Sequence, residues 1–270
     1  MTENQDFGPR YKIIDQRSGG KSIVYKVMDL DFDNKIYALK VPNENTLSNS
    51  QKLKKFTDEG SKLSDIQDNN VLTFLHSYKS GDVSDACCFK TYWMDQTLEH
   101  VMLNETVQHN TVVSILMKIL KGLNALHVNG YIHRDLKPST IFLSTDGNEV
   151  RVGGLGVASK AGSDETLLAP TDKYSSPDLD VDRRSDIYSL GFIAYEMIVG
   201  QDEFKNLFQD MYNVDNDKTR DRRWRNWHLD KSLSLPLLHE VLEGTPEEVS
   251  QIISRMMSKD PQYRYDDADK

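Results

Sequence analysis

The side chains of this chain that could do chemistry cluster in a few short stretches. His133-Arg134-Asp135-Leu136-Lys137 sets an imidazole, a carboxylate and an ammonium close together, the acid-base ingredients for moving a proton and steadying an anion. Lys218, Arg220, Arg222, Arg223 and Arg225 interleave with Trp224 and Trp227, a pattern that could hold RNA or an acidic partner. The competing reading is a solvated connection whose indole rings pack on the fold.

The elements that must position these groups are of two kinds. Tyr11 to Gln16, Ser22 to Leu30 and Ile36 to Pro42 are short β-branched or aromatic runs, separated by Gly19-Gly20 and by Asp31-Phe32-Asp33-Asn34, which predicts an antiparallel meander. A helix from about Ser50 to Leu63 and strands near Val71 to Leu75 and Cys87 to Tyr92 follow. From Thr97 onward helices take over. Val112, Ile115, Leu116, Ile119, Leu120, Leu123 and Leu126 recur at intervals of three and four, which puts one apolar stripe on a helix from about Thr111 to His127. Ile187, Leu190, Ile193, Ala194, Met197 and Ile198 do the same and stop at Gly200, a residue suited to close a helix. Both stripes read as core.

A chain of 270 residues is long enough for two lobes sharing a cleft and too short to add another sizeable domain. Its 38% hydrophobic and 28% charged residues are those of an ordinary globular protein. No run of eighteen or more apolar residues occurs, and Met-Thr-Glu-Asn-Gln-Asp has neither a basic end nor an apolar stretch, so membrane insertion and secretion are not expected. Cys87 and Cys88, adjacent in a predicted strand, point to opposite faces and are poorly placed to join, which fits a reducing cytosol. A net charge of −9 argues against a general nucleic-acid binder, because affinity for a phosphate backbone rests on Lys and Arg.

His133 to Pro138 reads HRDLKP, and on this and further landmarks the chain resembles the eukaryotic-type (Hanks-type) Ser/Thr protein kinases over almost its whole length. Tyr37-Ala38-Leu39-Lys40 resembles the strand whose Lys grips the α and β phosphates. Phe56-Thr57-Asp58-Glu59, with Leu63 a turn later, is similar to the helix αC carrying the Glu that orients that Lys. Ser185 to Gly191 resembles the start of the helix that anchors the large lobe. Ser176-Pro177-Asp178 stands where the family has APE, and Arg264 is the residue that pairs with that acid, here an Asp with a shorter arm. The resemblance implies an α+β, two-lobed protein-kinase-like fold. Its small antiparallel β lobe plus αC covers about 8–92, its larger, mainly helical lobe about 97–270, and the hinge falls near Tyr92 to Gln96. The family usually continues into one more helix after the Arg264 landmark, so 1–270 is expected to be a single kinase-like domain cut from a longer polypeptide.

The resemblance also assigns roles. Asp135 would accept the proton of a substrate hydroxyl, Lys137 would lie against the transferred phosphate, and Thr171 would bridge them. Lys40, Glu59, Gly19, Val24, Ala38 and Phe142 would hold ATP, the last of these together with Val24 and Ala38 sandwiching adenine. Aligned on Val24, the phosphate-covering GxGxxG loop falls on Arg17 to Ser22 and keeps just its middle glycine, Gly19; Arg17 and Lys21 could lend it charge or face water. Either Lys90 or Thr91 stands at the gate beside adenine. His133, Leu155, Leu63 and Phe74 match the family's hydrophobic column, with Asp186 pinning His133. Arg134 is the family's receiver of an activation-segment phosphate, with Ser159, Ser163 and Thr166 as candidate carriers. At the two positions where the family holds magnesium, the catalytic-loop Asn and the DFG Asp, this chain has Thr140 and Gly154, and neither Asp146, Glu149, Asp164 nor Glu165 is a good substitute.

Phosphoryl transfer is mostly positioning and charge neutralisation, so this loss is severe: one missing donor in such a site costs about 3–4 kcal/mol. The expectation is a pseudokinase, an interaction or allosteric signalling module and scaffold with a protein partner or fused domain, cytoplasmic, with neither nucleic acid nor membrane as partner. ATP would bind weakly and without magnesium, and no metal is expected. The alternatives are a magnesium-independent or low-activity Ser/Thr kinase and a scaffold that binds no nucleotide.

Overall fold

The computed structural model describes residues 7, 9–64, 66–79, 87–104, 109–160 and 173–269, without the side chains of residues 59, 61–64, 76–79, 87 and 109. They divide into two units, one of residues 1–68 and 72–95, the other of 69–71 and 96–270.

In the first unit the β-branched and aromatic runs form β1 (Tyr11–Ser18), β2 (Ser22–Asp29) and β3 (Lys35–Pro42). A single turn α1 (Glu44–Leu47) and the helix α2 (Ser50–Ser64) come next, then β4 (Phe74–Lys79) and β5 (Cys87–Tyr92). The sheet is antiparallel in the order β1-β2-β3-β5-β4. The strand predicted from Val71 begins later, at Phe74; Val71 instead makes an isolated bridge to Val152. Alternation sorts the side chains onto two faces. Tyr25, Val27, Tyr37, Leu39, Val41 and Cys88 form the core of one, with Phe7 and Tyr11 packed on it. On the other, Phe89 sits between Phe56 of α2 and Phe74, with ring centroids 5.0 and 4.6 Å away. Gly60 lets α2 come this close, since a Cβ there would lie 2.0 Å from the Phe89 ring.

The two faces set Lys90 and Thr91 apart. β5 pairs Thr91 with Ala38 and Phe89 with Lys40, so Thr91 shares the Ala38 and Lys40 face. Lys90 points the other way, where its Nζ lies 2.6 Å from the buried Asp29 carboxylate and 3.7 Å from the Tyr37 ring centroid. Arg10 completes this ionic cluster with two 2.8 Å bonds to Asp29. These cations hold the Asp29 carboxyl down at about 2, the Arg10 hydrogen bond being the largest cause.

The second unit opens with β6 (Gln96–Thr97), α3 (Leu98–Asn104) and α4 (His109–Val128). The strands β7 (Tyr131–Ile132), β8 (Ile141–Leu143), β9 (Val150–Val152) and β10 (Ser159–Lys160) follow, paired as β6-β8-β9 and β10-β7. The rest is helical: α5 (Arg183–Val199), α6 (Gln201–Leu207), α7 (Gln209–Tyr212), α8 (Asp217–Leu229), α9 (Leu238–Val241) and α10 (Glu247–Met256). By length and composition α4 is apolar enough to cross a membrane; one face, with Ile119, Leu123 and Leu126, is without solvent exposure, while Val113, Met117 and Val128 on another are exposed. α5 is buried from Ser185 to Met197, capped at its start by the Asp182 side chain and closed by Gly200 at φ 82°. Phe192 of α5 gathers Phe204, Phe208, Trp224 and Trp227 around it, all within 6.0 Å of its ring. The indole rings of the basic stretch on α8 are thus packing groups, as the plainer reading expects.

Candidate active site

Asp186, in the first turn of the buried α5, organises the loop that follows β7. Its carboxylate accepts the backbone N–H of His133 at 2.9 Å, that of Arg134 at 3.0 Å and Nε2 of His127 at 2.8 Å. Burial opposes the charge, but these donors and the two imidazoles outweigh it and lower its pKa. Arg134 has φ 67°, a left-handed backbone costing ~1–2 kcal/mol for a residue with a Cβ. Two bonds from amides to a buried carboxylate offset that strain. His133, unexposed, accepts the Asp135 N–H on Nδ1 at 3.2 Å, so its proton is on Nε2, which donates to the Gly153 carbonyl at 2.8 Å. The HRDLKP stretch made His133 legible and the Ser185 to Gly191 landmark made Asp186 so; His127 was missed, its signal being just a His in the last turn of a core helix.

The loop brings the predicted pair together: Lys137 Nζ lies 3.0 and 2.9 Å from the two carboxylate oxygens of Asp135. Thr140 closes the turn beneath them. Its Oγ1 accepts the Lys137 N–H at 3.1 Å and faces the carbonyls of Lys137 at 2.9 Å and Asp135 at 3.2 Å. Fourteen positions on, Gly154 adopts φ 75° and ψ 30° and leads into a short 3-10 turn, Leu155–Val157, with Leu155 buried. Gly153 donates its N–H to the Thr140 carbonyl at 2.9 Å, clamping the two segments side by side. A cavity of about 310 Å³ opens beside this loop, lined among others by Arg134, Leu136, Tyr174, Pro177 and Arg225. Glu196 of α5, unexposed and also missed from sequence, anchors the cavity wall: Lys173 Nζ at 2.7 Å and the Tyr174 hydroxyl at 2.8 Å both reach it.

The remaining predicted residues are placed as follows. Phe142 is half-buried on β8, paired with Thr97 and Arg151. In the first unit, Val24 is paired with Lys40, and Ala38 lies on the same face. Lys40 Nζ sits 5.6 Å from the Phe56 ring centroid of α2. The side chains of Glu59 and Leu63, and Ser163, Thr166 and Thr171, lie outside the described residues. Gly19 makes the β1-β2 turn, its N–H donating to the Ser22 carbonyl at 2.8 Å, while Asn43 Nδ2 bonds the Gly19 carbonyl at 3.1 Å. Arg17 spends its charge elsewhere, stacked 4.6 Å from the Trp93 centroid and bonded to the Asp95 carbonyl at 3.1 Å. Ser159 is corrected as a phosphate carrier: it is 1% exposed within β10 and its hydroxyl is out of reach of another enzyme. The acid in the APE position meets its partner, Arg264 gripping Asp178 through two bonds of 2.6 and 2.8 Å.

The chain is 29% identical to a probable serine/threonine-protein kinase of Clostridium acetobutylicum, over 97% of this chain and 38% of that protein. It is 26% identical to the serine/threonine-protein kinase PknL of Mycobacterium tuberculosis, over 93% of this chain and 61% of that protein. It therefore spans less than two thirds of the length of either. The family model of the protein kinase domain matches residues 17–268, and the chain belongs to that family.

Proposed function

We propose that this kinase domain is a pseudokinase, a signalling module that binds a protein partner or an attached domain and has lost magnesium-dependent phosphotransfer. The observation that carries this reading is the state of Thr140 and Gly154. The Thr140 hydroxyl is committed to three backbone groups of its own loop, and position 154 offers no side chain. Gly154 has no ligating atom, and the Thr140 hydroxyl, bonded to the backbone, is a weaker ligand for a hard divalent cation than a carboxylate or amide oxygen. The assembled loop argues that the fold is kept for binding: Asp186, His133 and the Asp178–Arg264 pair are all in place. ATP without a metal is the ligand we assign to the nucleotide site.

One observation favours a second reading. Asp135 and Lys137 remain in contact, so a slow, metal-independent transfer to a hydroxyl keeps its proton acceptor and one cation; the relatives compared above are named as kinases. Label transfer from γ-labelled ATP, followed in EDTA, magnesium or manganese with Asp135→Asn as control, separates the two. We expect no Asp135-dependent incorporation in any of the three; label in the parent that vanishes in Asp135→Asn would establish the enzyme. Melting with ATP reports binding, since a ligand of the native state raises the midpoint with concentration. No shift at millimolar ATP would leave a scaffold that takes no nucleotide.

A further inference from the structure

We propose that Thr140 and Gly154 form one coupled unit, in which the Thr140 side chain both orders the catalytic loop and closes position 154 to a ligating side chain. The Thr140 hydroxyl ties the loop, and its methyl fills the space that a ligating side chain at 154 would need. The inference rests on the pseudokinase reading and adds that the two departures from the family pattern are mutually dependent.

A Cβ built on Gly154 would lie 2.6 Å from Cγ2 of Thr140 and 3.0 Å from its Cβ, closer than carbon atoms pack. Thr140 cannot swing aside. Rotating it would pull Oγ1 off the Lys137 amide and turn the methyl toward the carbonyls of Asp135 and Lys137. Nor can the segments part easily, because the Gly153 N–H is bonded to the Thr140 carbonyl and Thr140 is 8% exposed. The left-handed backbone at 154, φ 75°, adds strain for most residues with a Cβ, though least for Asp and Asn, so the block comes chiefly from the Thr140 methyl. A carboxylate therefore cannot return to position 154 while Thr140 stays. Meanwhile the hydroxyl keeps Lys137 beside Asp135. Two independent losses would leave positions 140 and 154 indifferent to one another.

A double-mutant cycle in the full chain tests this. Thr140→Ser removes the methyl and keeps the hydroxyl; Gly154→Ala adds a Cβ alone. Backbone strain at 154 is common to both backgrounds and cancels, leaving the contact. Gly154→Ala is expected to lower the melting temperature by ~4 °C or more, and by less than about half as much in the Thr140→Ser background. For the metal, manganese chloride with ADP is followed by water-proton relaxation. Thr140→Asn/Gly154→Asp is expected to bind manganese, and Gly154→Asp alone to show none. Additive melting shifts, or Gly154→Asp alone binding as tightly as the pair, would overturn the coupling. Manganese held by the unchanged protein would instead sink the pseudokinase reading, while the melting cycle still decides the contact.

Discussion

Arg264 grips Asp178 from 86 positions away in sequence, two guanidinium nitrogens on two carboxylate oxygens, with 0% and 3% of their side chains exposed. Ser185 Oγ donates to the same carboxylate at 2.8 Å, and the guanidinium lies 4.8 Å from the Tyr188 centroid. A buried pair broken on one side leaves an uncompensated charge, so Asp178→Asn is expected to cost ~3–5 kcal/mol in urea unfolding. Arg264→Lys loses the fork and one of the bonds. Asp178→Glu, although it restores the family's acid, must fit an extra methylene into a closed site and is expected to destabilise by about 1–3 kcal/mol. Stabilisation by Asp178→Glu would show that the short arm is a defect and not a fit.

The Asp29 cluster gives a pH dependence. A carboxyl held at about 2 in the folded chain, against 3.8 when unperturbed, binds its proton less readily than in the unfolded state. Its contribution is therefore fully present above pH ~4 and is lost as pH falls from there toward 2. Arg10 is 40% exposed, and with that screening the contribution is on the order of 1 kcal/mol. Unfolding midpoints from pH 5 down to 2.5 should fall more steeply in the parent than in Asp29→Asn. Parallel curves would mean that the carboxylate is not coupled to Lys90 and Arg10.

Thr140→Val keeps the volume and removes the hydroxyl. The Lys137 N–H would lose its acceptor in a partly buried turn, at a cost of ~1–3 kcal/mol. Amide exchange at Lys137 should accelerate by at least about tenfold, since each 1.4 kcal/mol of opening is a decade. Unchanged exchange in Thr140→Val would mean that the hydroxyl is not what fixes the loop.

Periodic signals were the legible ones. The stripe on α4 and the Gly200 stop of α5 follow from a repeat of 3.6 and from the tolerance of glycine for a positive φ, both local properties. HRDLKP was readable because Asp135 and Lys137 are neighbours in sequence as well as in space. Lys90 against Thr91 was not readable: a slip of one residue exchanges the faces of a strand, and pairing with β3 decides it. The contact of Thr140 with Gly154 joins segments fourteen positions apart through a methyl group, and no periodicity encodes that. Trp224 and Trp227 looked like a binding stretch because composition does not reveal that α8 turns them toward Phe192.

Gly60→Ala sets two magnitudes against each other. In a helix interior the change gains ~1 kcal/mol of propensity. Here the new Cβ would stand 2.0 Å from the Phe89 ring, which cannot retreat because Phe56 and Phe74 pack beside it. Overpacking of that kind costs about 1–3 kcal/mol or more, so the clash should win and the melting temperature fall. Phe89→Leu makes room at the price of lost ring contacts, and in that background Gly60→Ala is expected to be neutral or stabilising. If Gly60→Ala raised the melting temperature with Phe89 intact, α2 would have to stand further from β5 than this packing allows.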